Sequence, residues 1–271
     1  MSRTRLMLKQ RHGLRIDLRG ITPTVCAGLG VAQIERLQVS QGNRALALAE
    51  LFAVSREDGE ADELRLEGDL SSCDRVGWQM DGGLLVAEGS VGDHAGGCMR
   101  AGELQVHGDA GLLAACEMAG GLLTVQGDVG DFAASTLPGS MDGMRGGSLV
   151  VRGHAGARFA DRMRRGTAVV FGDVGDFVAS RMVAGTVAIG GMAGAHPAYG
   201  MRRGTLVFAG RGPDVSPTFV PALASAEVFW QLLSRDLARH GGPFAGLPAR
   251  RIQRHLGDLG VDGKGELIVV T

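Results

Sequence analysis

The residues best equipped for chemistry in this chain are arginines that follow a periodic methionine: Arg100, Arg145, Arg164, Arg165, Arg202 and Arg203. Ala119-Gly120 and Val183-Ala184 interrupt them at equivalent positions. A guanidinium is a permanent cation whose planar fork of donors matches a carboxylate or a phosphate. The set reads either as a solvated face or as a docking stripe for an acidic partner surface or an anionic ligand. Other reactive types are scattered. His94 and His196 share one repeat position but stand five repeats apart, roughly 24 Å at the strand spacing, too far to share a metal. Cys26, Cys73, Cys98 and Cys116 show no C-x-x-C spacing and read as free structural thiols. Asp69, Asp109, Asp128 and Asp173 each follow a glycine, as turn residues do. Asp109 and Asp128 on adjacent units would repel, which implies solvent exposure.

Motifs of known mechanism are missing or incomplete. Gly263-Lys264-Gly265 lacks the spacing of a phosphate loop, and Gly28-x-Gly30 lacks the third glycine of a dinucleotide fingerprint. Asp258, Asp262 and Gly263 resemble a calcium loop, but Gly260 stands at its third position and the final glutamate is missing. No Gly-x-Ser-x-Gly elbow is present. The residues therefore predict no catalytic, cofactor-binding or metal-binding site in this chain.

A 19-residue repeat must position the arginines. Marker glycines fall at Gly68, Gly89, Gly108, Gly127, Gly153, Gly172, Gly191 and Gly210, and methionines follow at Met80, Met99, Met118, Met144, Met163, Met182 and Met201. The clearest unit reads Gly89-x-x-Gly92-x-x-x-Gly96-x-x-Met99-x-x-Gly102, and later copies replace the middle glycine with alanine, a change expected only to tune packing. An insert over Ser135–Met141 lengthens the fourth unit. Before each marker runs an alternating stretch with two inward columns, Leu64 to Leu206 and Leu66 to Phe208. Period-two alternation is a strand signal, and a fixed short period is the signature of a solenoid. The prediction is a mainly β chain: a right-handed parallel β-helix of about eight rungs, roughly 38 Å long. The methionines would fill its interior rather than bind copper.

Residues 1–60 break the repeat and are expected to cap it; 61–212 form the repeat domain and 213–271 a small helical segment. Within the last, Ala224–His240 has helical spacing with Ser225 as N-cap, a second short helix is expected over Ala249–Leu259, and Leu267–Val270 is expected as an edge strand. Formal net charge is −1, which speaks against a general nucleic-acid binder. No signal peptide is visible at Met1–Lys9, and the uncharged stretch Met182–Met201 matches the repeat in phase, so a membrane span is rejected. A cytoplasmic location is expected.

The G-x-x-G-x-x-x-G-x-x-M-x-x-G repeat resembles that of the C subunit of formylmethanofuran dehydrogenase, whose relatives include the C-terminal β-helix of the glutamate synthase large subunit. Ile21-Thr-Pro23, Gln41-Gly-Asn43 and Leu48–Phe52 resemble the family's N-terminal segment, and Gly143-Met144-Arg145-Gly146-Gly147 falls at its longer fourth rung. The likeness covers residues 1–212. It implies a non-catalytic scaffold subunit of a formyltransferase/hydrolase complex in one-carbon metabolism. The partners it implies are an amidohydrolase-like subunit with a zinc-type metal, a formate-dehydrogenase-like subunit and a formyltransferase. The complex would use a methanofuran-type cofactor, with none expected on this chain. Two rivals stand beside it: a structural subunit of a glutamate synthase or N-methylglutamate synthase-type complex, and a stand-alone solenoid enzyme.

Overall fold

The structure of the protein, a computed structural model, describes residues 2–10, 13–59, 62–224 and 226–271. Its strands are β1 (Ser2–Leu8), β2 (Ile16–Asp17), β3 (Gln38–Gln41), β4 (Arg44–Ala47), β5 (Phe52–Asp58), β6 (Glu63–Glu67), β7 (Cys73–Asp74), β8 (Asp81–Ala87), β9 (Ala101–Val106), β10 (Leu122–Val125), β11 (Arg145–Val151), β12 (Arg165–Val170), β13 (Thr186–Ile189), β14 (Thr205–Phe208), β15 (Val220–Pro221), β16 (Ile252–Gly257) and β17 (Gly265–Val270). The helices are α1 (Pro23–Ala27), α2 (Val31–Ile34), α3 (Leu48–Leu51) and α4 (Glu227–Ala238). The fold is mainly β.

One 13-stranded sheet runs β15-β16-β17-β14-β13-β12-β11-β10-β9-β8-β6-β1-β5. All pairings from β1 through β6, then β8 to β14, and on to β17 are parallel. The register superimposes the repeat on itself: Leu85 faces Leu104, Leu104 faces Leu123, Leu123 faces Leu149. Both inward columns are buried, as is every repeat methionine from Met80 to Met201. A second column of single parallel bridges joins Val91, Ala110, Val129, Ala155, Val174 and Ala193.

Between the two columns the chain turns through left-handed residues. His94, Leu113, Phe132, Arg158, Phe177 and His196 all have φ near +60°, and so do the alanines that replace the middle glycine, with φ between 54° and 59° for Ala115, Ala134, Ala160, Ala179 and Ala198. The alanine substitution therefore does more than tune packing, since each Cβ adds backbone strain of about 1 kcal/mol. Hydrogen bonds offset it. Each flip turns one amide toward the next unit and another toward the previous one, as in His94 N–H to Leu112 O at 2.7 Å and Ala115 N–H to Ala95 O at 2.8 Å.

Three of the four Gly-Asp pairs share a cause, while Asp69 Oδ1 accepts the Ser71 N–H at 3.3 Å within its own unit. Asp109 Oδ1 accepts the Asp128 N–H at 2.8 Å, Asp128 Oδ1 accepts the His154 N–H at 2.7 Å, and Asp173 Oδ1 accepts the Met192 N–H at 2.7 Å. Each aspartate reaches over the glycine of the next unit; a Cβ on Gly127 would lie 2.0 Å from Asp109 Oδ1. Asp109 and Asp128 are exposed, as their mutual repulsion requires, and each also bridges to the following unit.

The chain ends cover the sheet edges. β1 pairs parallel with β6 and antiparallel with β5, so the main sheet extends into the N-terminal segment. Thr22 caps α1 with Pro23 at its first turn, and Gly42, at φ +60°, closes the β3–β4 hairpin. At the other end α4 forms within the predicted helix; the predicted cap Ser225 lies outside the described residues. The second predicted helix is absent: residues 252–257 form β16, antiparallel to β17. Ile252 and Leu256 have helical spacing, but β17 offers an open row of backbone groups, and pairing with it prevailed over a weak local preference. β17 is accordingly an interior strand and not the expected edge. Trp230, Leu237, Phe244 and Leu247 bury the outward apolar column Val169, Ala188, Val207 and Ile268. Among the described residues no helix is long and apolar enough to cross a membrane.

Candidate functional site

Cation positions follow from the register. The residue after each methionine donates its N–H to the methionine carbonyl of the preceding unit: Arg100 to Met80, Arg145 to Met118, Arg164 to Met144 and Arg202 to Met182, the last two at 2.8 Å. The side chains of these arginines, and of Arg165 and Arg203, are exposed. Arg145 and Arg165 are register partners on β11 and β12.

Five of the six predicted arginines come together. Arg145, Arg164, Arg165, Arg202 and Arg203 line a hollow of ≈ 640 Å³ floored by Val183 and Ala184. The unit that interrupts the arginine run therefore makes the floor. A second hollow of ≈ 530 Å³ shares Arg164, Val183 and Arg202 and extends to Arg162, Arg181, Tyr199 and Asp258. Arg100 shares the repeat position but lines neither hollow, because Ala119 separates its unit from that of Arg145. Arg145 pairs with Glu117 at 3.4 Å and Arg164 with Asp142. Among the described residues Arg165, Arg202 and Arg203 form no ion pair.

Sequence reasoning missed Arg162, Arg181 and Asp258, which line the second hollow, and the neighbouring Lys264. Arg162 and Arg181 directly precede Met163 and Met182, so the repeat itself offered the signal. Arg181 forks onto buried Asp161, with Nη2 at 2.7 Å and 3.0 Å from its two oxygens. Lys264 is brought in by β17: Thr205 faces Glu266, which sets Lys264 beside Arg203, and its N–H donates to Arg202 O at 2.7 Å. Asp258 fastens the same end. Its carboxylate accepts the Gly260 N–H at 2.9 Å and the Gly200 N–H at 3.0 Å. Burial pushes this carboxyl up, but the Gly260 N–H, the Thr218 hydroxyl and the Gly200 N–H outweigh it and hold it below the ordinary value.

Burial pushes the Cys26 thiol up to about 11 and those of Cys73 and Cys116 to about 12, far from the thiolate form. Burial likewise holds the His94 imidazole below its ordinary value. Among the described residues no group of three or more histidines, cysteines or carboxylates is placed to hold a metal.

No family model matches the sequence. A chain of the formyltransferase/hydrolase complex FhcABCD from Methylorubrum extorquens, solved in complex with methylofuran, superimposes with a TM-score of 0.91 at 40% identity, covering 98% of this chain and 99% of that one. The C subunit of the Fhc complex of the same species is 42% identical over 78 residues, 29% of each chain. This chain belongs to the C-subunit family of the formyltransferase/hydrolase and formylmethanofuran dehydrogenase complexes. The C subunit of the tungsten-containing formylmethanofuran dehydrogenase 2 of Methanothermobacter wolfeii is 31% identical over 94 residues, 34% of this chain and 35% of the relative. In sequence, the chain spans about a third of the length of the curated C subunits it matches; in structure, it spans nearly the whole of the Methylorubrum chain.

Proposed function

We propose that this chain is the non-catalytic scaffold subunit of a formyltransferase/hydrolase complex that oxidises formaldehyde to formate in tetrahydromethanopterin- and methanofuran-linked metabolism in the cytoplasm. The observation that carries this reading is the full-length likeness to a chain of the FhcABCD complex. The dispersal of titratable side chains fits a positional role. On this reading amidohydrolase-like, formate-dehydrogenase-like and formyltransferase subunits carry the chemistry, and a zinc-type metal sits in a partner. The ladder of strands and the column of bridges wind as one right-handed β-helix of about eight rungs over 61–212, with 1–60 as its cap and 213–271 as a closing segment. The arginine stripe is the face that meets an acidic partner or an anionic ligand.

Affinity-tagging the chain in its native host and identifying the proteins that accompany it tests this. Amidohydrolase- and formyltransferase-like partners are expected, and Arg164→Glu with Arg202→Glu should weaken their recovery at moderate salt. Recovery of a glutamine amidotransferase or of a lone monomer would overturn the reading.

A further inference from the structure

α4 is apolar on two sides, and the sheet covers only one of them. Trp230 and Leu237 are buried against the outward column, with Leu233 packed beside them. At about 3.6 residues per turn, Val228 and Leu232 stack on the opposite side. They are 75% and 66% exposed, with Phe229 beside them at 41%. A helix that only roofs a sheet needs one apolar stripe and polar residues elsewhere. Apolar side chains on both faces belong to a helix that is covered on both. Arg235 and Arg239 continue the line of Val228 and Leu232 toward the helix C-terminus. Arg250 and Arg251 meet Glu227 and Trp230 around a hollow at its first turn. Cations therefore bracket the apolar strip at both ends.

We infer that the outer face of α4 docks a helix of another subunit of the complex, one whose apolar stripe is bordered by aspartates or glutamates. The inference rests on the scaffold reading and gives the chain a second contact, which shares no residue with the arginine-lined hollows. Membership of a family of complex subunits supplies the kind of occupant. Spacing supplies its shape: Val228, Phe229 and Leu232 stand at the i, i+1 and i+4 positions that interdigitate with a second helix. Charge supplies its chemistry. Arg235, Arg239, Arg250 and Arg251 are all exposed around the strip, against Glu227 and Asp236. Asp236 is already paired with Arg239 at 3.3 Å, and Arg235 reaches only the neutral Gln231 Oε1, also at 3.3 Å. The rim is cationic overall and calls for carboxylates. A second copy of this chain would bring the same surplus of arginines against it. A membrane surface would set Glu227 and Asp236 against lipid phosphates.

The test tags the full chain in its native host with the photoreactive residue p-benzoylphenylalanine in place of Leu232. Irradiation of the purified complex should cross-link this position to one other subunit, at an apolar helical residue with a carboxylate within one turn. Val228→Ser with Leu232→Ser should lower recovery of that subunit about tenfold. Arg235→Glu with Arg251→Glu should lower it as well, by a margin that shrinks as salt rises. Leu112→Ser, the same loss of an exposed apolar side chain on a repeat turn, should leave recovery unaltered, and circular dichroism should show every variant folded. A cross-link only to a second copy of this chain, to lipid or to a site without carboxylates overturns the inference, as does no cross-link at all. So does unaltered recovery with the serine pair, or equal loss with Leu112→Ser. Companions that purify with the chain while these results fail would remove the docking face and leave the scaffold reading; a chain that purifies alone would remove both.

Discussion

At the scale of single residues, the repeat is explained by two short-range conflicts that only glycine resolves. One is the aspartate that reaches over the next unit's marker glycine. The other lies beneath the methionines: a Cβ on Gly121 would stand 2.7 Å from Met99 Cε and 2.8 Å from Gly102 O, and the backbone there has φ +85°. Gly121→Ala should therefore lower stability by roughly 3 kcal/mol through combined clash and strain. Gly139→Ala, at φ +83° in the insert with nothing within 4 Å, should cost only about 1 kcal/mol. Urea unfolding midpoints decide between them, and equal losses would mean that the methionine contact is unimportant. Asp258 supplies a pH dependence. Its folded carboxyl lies below the ordinary value, so its contribution is complete above about pH 4 and is lost as pH falls through the folded value. Wild type and Asp258→Asn should converge in stability as pH is lowered from about 5 toward 2. A gap that stays constant would show that the charge is not what matters.

At the scale of elements, the C-terminal segment is a lid added to the sheet rather than another repeat. Trp230 is its anchor: buried on the outward apolar column, with its indole N–H donating to Arg250 O at 3.1 Å. Trp230→Ala should cost roughly 3 kcal/mol and free α4 and β16 before the repeats unfold. Amide exchange should then speed up over residues 222–257 while residues 101–151 keep their protection. Uniform loss across both regions would mean that lid and repeats form one cooperative unit. The helix wrongly expected at Ala249–Leu259 belongs at this scale too, since the strand exists only because β17 lies beside it.

For the molecule as a whole, stacking makes each unit depend mainly on its two neighbours. Excision of residues 108–126, one complete unit with no arginine, should give a shorter chain that still folds. A cooperative melt with retained β circular dichroism is the expected result, and an unfolded product would show that long-range contacts dominate. The same logic explains the arginine-lined hollow. An exposed arginine or arginine pair in one unit is an ordinary solvated feature, but units stacked at about 4.8 Å bring Arg145, Arg164, Arg165, Arg202 and Arg203 around one hollow.

The 19-residue period, the alternating columns and the buried methionine ladder were legible because they are local patterns repeated many times, and each copy reinforces the reading. The arginine stripe was legible for the same reason. Other features depend on residues far apart in sequence and leave no periodic trace. Lys264 joins Arg203 only because β17 pairs with β14, sixty-one residues away by the register Thr205 to Glu266. Arg100 leaves the group only because Ala119 stands in the unit between. The left-handed alanines were hidden as well, since a single methyl looks compatible with any turn until the hydrogen bonds between units specify its φ. The sequence by itself determined the stack; the tertiary structure decided which of its charges share a surface, because that depends on how the insert and the chain end close around it.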